Sequence, residues 1–485
     1  MSQAPPTKRP RISSPAASQA SAPSVSTTPC PHLSTVNRQV LDLDLKLHCS
    51  VTLSVHNVYI CLVCSRYLQG RAPSTPAYTH SLQAQHHLFL CTTTLKTYCL
   101  PDNYPVAHES LREIAVAFRP TFTADQVSKL DDAPYRIRLR NVSRLTGAVP
   151  LVYLHAADYV SVTTQLLLRA SRFRNCLLMS TPEGDHTAAG ALKDALALLC
   201  SKIWSKYALR DFIAPHELLA VVETRSKGLF SSLKQNDPVL LLAWILRTLT
   251  GGARDNVGRI VDASFKGEMT VVETSSESDQ NAAQASSQVT EPSEGNIQPV
   301  DSSKSNTKEA PFYEKKTSSF WFLPLDLPPE PLFKDMNDRT LVTQTTLERL
   351  MRKYDGITKQ HVVRTAHQRS FTLLKIPECL LLVVKRFVKS KFGLSKNPCF
   401  VQLPENLNMS EWCEGGGMYE LKAAILHEGR PRDGSYRVAI KHAASKSWFE
   451  LNGNEAKPIH FQLVSLADTY ILLYERTISN KGNAK

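Results

Sequence analysis

Four residues in the first quarter of the chain have the types and spacing of a metal site. Cys61 and Cys64 form a Cys-x2-Cys pair, and His80 and His86 follow in the pattern C-x2-C-x15-H-x5-H. A close cysteine pair can hold one edge of a tetrahedral zinc, and two histidines near a short helix can supply the other. Two thiolates and two imidazoles suit the borderline softness of zinc. Zinc is therefore the expected cofactor, with Cys61, Cys64, His80 and His86 as its ligands. The N-terminus has no hydrophobic signal region, so the 11 cysteines read as reduced thiols or metal ligands rather than disulfides.

The elements that must position such a site follow from the whole chain. Its 485 residues are enough for two or three domains, and 42% are apolar, so a large core is available. The longest apolar runs, Val239 to Leu246 and Cys379 to Val384, fall far short of the ~20 residues that span a bilayer, so no membrane partner is expected. Lysine and arginine number 57 against 44 acidic residues, a net charge of +13. That balance favours acidic partners, either through a direct RNA site or as a basic protein within a nucleic-acid-rich assembly.

Residues 1–28 have no aromatic residue and are rich in Pro, Ser, Ala and Thr, a composition predicted to stay disordered. They contain Lys8-Arg9-Pro10-Arg11, a basic cluster suited to nuclear import, so the nucleus is the expected location. A second polar stretch, about 274–311, reads as a disordered insertion inside a domain, because apolar patterns flank it on both sides. Between these stretches lie a Cys- and His-rich region, 29–124, and a larger one, 135–476, followed by a short tail, 477–485. Leu192 to Trp204 and Pro238 to Leu249 read as buried helices. Cys379 to Phe387, Tyr436 to Ile440 and Tyr470 to Tyr474 read as strands, giving an α+β class.

The residues around the zinc ligands, Tyr67-Leu68-Gln69-Gly70-Arg71 among them, resemble the ubiquitin-protease-type (UBP-type) zinc finger. Fuller members of that family hold up to three zincs. The resemblance implies that Gln69 stands where another Cys ligand is usual, which leaves Cys49 as a remnant or core thiol. It also implies a second site in Cys30, His32, Cys99 and Asp102. Many such fingers grip the C-terminal tail of ubiquitin, and Arg71 matches the arginine beside the tail carboxylate. Tyr98 stands near the usual aromatic, while Leu100 replaces another tail-contacting residue. Ubiquitin binding and a solvated loop role for Arg71 both remain open.

The larger region resembles the ubiquitin-specific proteases. Ile376-Pro377-Glu378-Cys379 through Lys385-Arg386-Phe387 matches a signature strand of that family, and Tyr419-Glu420-Leu421, His427-Glu428-Gly429, Gly434-Ser435-Tyr436, Trp448 and Tyr470 to Tyr474 follow its last block in order. The resemblance implies a papain-like fold of thumb, palm and fingers. Its chemistry needs a cysteine nucleophile, a histidine base and an Asp or Asn that orients the base. Here Asp158 occupies the nucleophile position, Ser435 the base position, and only Asn452 resembles the third member. Tyr153 falls where an oxyanion-stabilising Asn is usual. A carboxylate suits a helix start through backbone N–H bonds and the helix dipole, but it is a poor nucleophile. Cys-x-x-Cys pairs of the fingers would fall near Ser275 and Ser278 and are missing, so a zinc there is not expected.

One branch of this family combines a basic disordered N-terminus, a reduced finger and an Asp at the nucleophile position: the spliceosomal, tri-snRNP-associated branch. Tyr98-Cys99-Leu100-Pro101-Asp102-Asn103-Tyr104, Leu325-Asp326-Leu327-Pro328 and Lys396-Asn397-Pro398 carry the further likeness. It implies a noncatalytic factor that keeps the tri-snRNP assembled for pre-mRNA splicing and contacts its proteins, including its helicase. A noncatalytic ubiquitin or ubiquitin-like reader acting through Arg71 is the alternative. A protease using Cys176, Cys200, Cys379, Cys399 or Cys413 is the third reading.

Overall fold

The computed structural model describes residues 30–139, 142–154, 156–181, 187–251, 256–275, 313–329, 343–361, 367–390, 393–431, 433–466 and 468–477. Residues 1–28, most of the 274–311 stretch and nearly all of the 477–485 tail lie outside that set.

The first unit is a five-stranded antiparallel sheet built from β1 (Val58–Cys61), β2 (Tyr67–Gln69), β3 (Leu88–Cys91), β4 (Thr97–Cys99) and β5 (Tyr104–Val106), in the order β2-β1-β3-β4-β5. Every residue of β1 and β3 is buried, because both faces of the sheet are covered. On one face Val58, Ile60, Leu88 and Leu90 pack on helix α2 (Glu109–Phe118), which offers Leu111, Ile114, Ala117 and Phe118 at helical spacing. On the other, Tyr59, Cys61, Phe89 and Cys91 meet Ala77 of helix α1 (Pro76–Ala84). This finger is tied to the rest of the chain by half-buried charges. Lys202 Nζ contacts Asp44 at 2.7 Å and donates to the Leu43 carbonyl at 3.0 Å, and Arg210 pairs with Asp42 at 2.8 Å. Removing one partner of such a pair would leave the other charge half-buried and uncompensated.

After a short helix, α3 (Ala124–Ser128), and a hairpin, β6 (Arg136–Leu139) with β7 (Val142–Leu145), the chain forms a helical subdomain. Its helices are α4 (Asp158–Leu167), α5 (Ser171–Met179), α6 (Ala188–Trp204), α7 (His216–Arg225), α8 (Pro238–Gly251) and α9 (Asn256–Phe265). Helix α4 is buried along its whole length, and apart from Ser161, whose hydroxyl has no partner among the described residues, its polar side chains find internal ones. Thr163 and Thr164 donate to carbonyls one turn back, and Gln165 donates to the Val149 carbonyl.

The second half is β-rich. Strands β8 (Gly267–Ser275) and β9 (Tyr313–Phe320) join β12 (Gln360–His361) and β13 (His367–Lys375) in an antiparallel sheet ordered β12-β13-β8-β9. Strand β8 continues to Ser275, where it pairs with His367, so regular structure extends two residues into the stretch read as an insertion. The main sheet contains β10 (Leu323–Asp326), β14 (Cys379–Lys385), β19 (Met418–Glu428), β20 (Ser435–Lys441), β21 (Trp448–Asn452), β22 (Glu455–Ile459) and β23 (Thr469–Arg476), in the order β10-β14-β23-β19-β20-β21-β22. Strand β14 explains its own unbroken apolar run. Cys379, Leu381 and Val383 face the helical core, while Leu380, Leu382 and Val384 face a second core under β10. Arg386 follows that strand and is fully buried, with guanidinium bonds to the Thr469, Asn397 and Cys399 carbonyls. Helical unit, main sheet and projecting sheet correspond to thumb, palm and fingers.

Candidate functional site

Asp158 and Ser435 lie where α4 meets β20. Asp158, only 6% exposed, begins α4. One carboxylate oxygen accepts the Tyr159 N–H at 2.7 Å; the other accepts the Tyr436 N–H at 2.7 Å and Gln235 Nε2 at 3.0 Å. Burial raises its pKa, against the pull of those three donors. Gln235 Nε2 also reaches the Gly434 carbonyl at 3.3 Å, and Tyr153 Oη donates to the Tyr436 carbonyl at 3.0 Å. Both backbone groups of Tyr436 are thus held from the helical side, and Asp158 clamps the start of α4 to β20.

Ser435 opens β20 beside that clamp and is exposed. Asn452 ends β21, exposed at the turn into β22. Neither side chain hydrogen-bonds to a described residue. Asp158 and the Ser435 position come together, but Asn452 joins no relay with them. Of the five other candidate thiols, Cys176 is half-buried. Cys200, Cys379, Cys399 and Cys413 are buried, and burial pushes the Cys200 thiol up to about 12 and drives Cys379 and Cys413 up as well.

Gln235 and Asp237 were not singled out in the sequence. Asp237 caps α8, accepting the Val239 N–H at 2.8 Å, and also accepts the Tyr470 hydroxyl at 2.9 Å. The Asp-Pro step at the start of an apolar helix marks the cap. No local signal marks Gln235, whose partner lies 77 residues away.

His427, on β19, is buried against Phe387 and Tyr436. Gly434 leaves it room, since a Cβ there would stand 2.3 Å from His427 Nε2. Burial and then the Lys396 charge lower its pKa to about 4; Arg386 adds to this and Asp468 opposes it. The unfolded imidazole titrates near ~6.5, so below that pH the unfolded chain takes up a proton that the folded chain refuses. Stability should fall as pH drops from about 6.5 towards about 4, by at most about 3 kcal/mol from this group. Asp158 and Glu475, raised by burial, work in the opposite sense. The test is the difference between the natural chain and His427→Leu in denaturant midpoint at about pH 7 and about pH 5. The variant should lose less stability on acidification, and equal losses would refute the assignment.

In the finger, Cys61 and Cys64 lie at the turn after β1, His80 on α1 and His86 just beyond it. Cys61 Sγ is 3.6 Å from His86 Nδ1, Cys64 Sγ is 3.3 Å from His80 Nε2, and the two nitrogens are 3.1 Å apart. All four ligand atoms fall within 4.8 Å of one another. Bonds of about 2.0–2.3 Å to a tetrahedral zinc imply ligand–ligand edges of roughly 3.3–3.8 Å, so the donor set and its spacing fit that ion. Among the described residues this is the one such cluster; Cys30, His32, Cys99 and Asp102 do not form a second. The Tyr104 hydroxyl donates to Cys30 Sγ at 3.1 Å, and the His32 and His87 rings lie 4.0 Å apart and tilted. Around Gln69 and Cys49 the side chains form a hydrogen-bonded cage. Cys49 Sγ accepts N–H groups of Val51, Thr52 and Gln69, while Thr52 Oγ1 and Ser54 Oγ bond the Gln69 amide. Arg71 stacks over Tyr98 at 4.2 Å and donates to Asn103 Oδ1 at 2.7 Å.

The family model described as ubiquitin carboxyl-terminal hydrolase matches residues 151–474, and that of the zinc finger in ubiquitin hydrolases and other proteins matches 49–111. The chain belongs to the ubiquitin carboxyl-terminal hydrolase family. Within that family it is 33% identical to human ubiquitin carboxyl-terminal hydrolase 39, over 94% of this chain and 81% of the relative. It is 31% identical to the probable mRNA-splicing protein ubp10 of Schizosaccharomyces pombe, over 92% of this chain and 88% of that one. It is 26% identical to the pre-mRNA-splicing factor SAD1 of Saccharomyces cerevisiae, over 92% and 93%. Among solved structures, an essential yeast splicing factor superposes with a TM-score of 0.71 at 24% identity, covering 92% of this chain and all of that one, a likeness of fold.

Proposed function

We propose that this hydrolase-family chain is a noncatalytic splicing factor that binds and stabilises the tri-snRNP in the nucleus. The observation that carries the reading is the Asp158 carboxylate at the nucleophile position, bonded to the Tyr436 N–H and not poised beside a base. Losing a nucleophile or base alone lowers a hydrolase rate by about a million-fold, and here both positions are substituted. The relatives named as splicing factors match nearly the whole chain, finger included, which supports retention of the complete architecture for that process. The finger holds one zinc through Cys61, Cys64, His80 and His86. The domain organisation is a basic N-terminus (1–28), the finger (29–124) and an inactive protease-like domain (135–476). The partners are tri-snRNP proteins, its helicase among them, and RNA contact is indirect. The net charge of +13 favours approach to an RNA-rich particle, and specific contacts must add to an attraction that salt screens. A second reading, a ubiquitin reader, is favoured by Arg71 stacked on Tyr98 and is compatible with the first.

The full-length tagged chain isolated from nuclear extract at moderate salt should carry tri-snRNP proteins. Removing residues 1–28 should weaken nuclear import but not particle binding, and removing the domain from 135 onward should abolish binding. Absence of tri-snRNP proteins, or splicing that is unchanged after depletion, would overturn the assignment.

A further inference from the structure

We infer that the loop between α7 and α8, beside the degenerate cleft, is a docking ridge for an acidic protein segment bearing apolar side chains; this rests on the splicing-particle reading above and names a surface for it. The underside of the loop is fixed. Phe230 is buried against Tyr159 and Trp244, the Tyr159 hydroxyl donates to the Ser231 carbonyl at 3.1 Å, and the Ala156 N–H donates to the Ser232 carbonyl at 2.9 Å. Gln235 is anchored on Asp158, and Asn236 Nδ2 closes the loop on the Leu229 carbonyl at 3.0 Å. The clamp that replaces the nucleophile therefore also holds this loop in one shape, which lowers the ordering cost of binding through it.

Its outer side is apolar and basic. Leu229, Leu233 and Leu240 are 63%, 75% and 57% exposed, three leucines on one tethered loop and the helical turn that follows it. Isolated exposed leucines are ordinary, but three within one loop and the first turn of the next helix favour an interaction surface. Arg225, Lys227 and Lys234 flank them, exposed, with no carboxylate at ion-pair distance among the described residues. Of the neighbouring acids, Glu223 is engaged by the Ser231 hydroxyl at 2.9 Å, and Asp237 by the Val239 N–H and the Tyr470 hydroxyl. Unpaired cations around apolar anchors complement acidic side chains around apolar ones. The observations favour protein over single-stranded RNA, which calls for aromatic stacking platforms that aliphatic leucines do not supply.

The test uses the full-length chain and purified tri-snRNP. Leu229→Ser with Leu233→Ser, and separately Lys227→Glu with Lys234→Glu, should each weaken binding by roughly tenfold or more, leaving zinc content and melting temperature unchanged. In the otherwise natural chain, a photo-crosslinking residue at position 233 should attach to a segment rich in Asp and Glu. Crosslinks to RNA, with only the charge reversal weakening binding, would overturn the proposal in favour of nucleic acid. If the natural chain binds and both variants bind as well as it does, the ridge alone is refuted. If the natural chain does not bind, the functional reading fails and the ridge fails with it.

Discussion

Cys64→Ser is expected to release the zinc and unfold the finger. Structural zinc in finger peptides contributes on the order of 10–16 kcal/mol of apparent binding energy, comparable to or larger than the whole stability of a small domain. Cys61 and Cys64 stand at the end of β1 and the turn after it, and His80 and His86 on and just beyond α1, so one ion would join the sheet to the helix that covers one of its faces. Losing it should expose β1 and β3 and loosen the Asp42 and Asp44 contacts to Arg210 and Lys202. Elemental analysis and amide hydrogen exchange over 58–91 would read both effects. Cys49→Ser is the contrast: its thiol only accepts backbone N–H groups, so zinc should stay at one equivalent. A metal-free natural protein with a protected finger would refute the assignment.

Asp158→Cys is expected to remain inactive towards ubiquitin substrates and unlabelled by a ubiquitin-derived covalent probe. The new thiol would begin a helix, where thiolates are favoured, but no base stands ready for it. Ser435 cannot take a proton near neutral pH, and Tyr153 spends its hydroxyl on the Tyr436 carbonyl. The substitution should also cost stability, because the Tyr436 N–H loses its acceptor in a buried place, a penalty of about 1–3 kcal/mol. Activity is expected about a million-fold below that of a complete triad. Labelling of the natural chain at any cleft cysteine would contradict the noncatalytic reading, and labelling of Asp158→Cys would show that a base is present after all.

What the sequence determined by itself is what short-range spacing encodes. The order and spacing of Cys61, Cys64, His80 and His86 identify the four side chains that the fold brings together, because a turn and a helix end suffice to converge them. The apolar runs at Cys379–Lys385 and Thr469–Arg476 are strands, since a strand buried on both faces needs no alternation to be read as core. Asp158 at the start of α4 was legible because a helix start is itself a local event. The tertiary structure decided everything that depends on a partner distant in the chain. Asp158 meets Tyr436 across 278 residues, and the amide that completes the clamp comes from Gln235, which no local pattern distinguishes. Cys30, His32, Cys99 and Asp102 read as ligands by resemblance, yet the fold does not gather their ligand atoms as it gathers those of Cys61, Cys64, His80 and His86. Asn452 kept a triad residue type, but the turn after β21 leaves it in solvent. His427 is held neutral by burial and by the charge of Lys396, an environment assembled from separate strands. Types and spacings fix which groups a segment can offer; only packing fixes which of them meet, and how far water is excluded when they do.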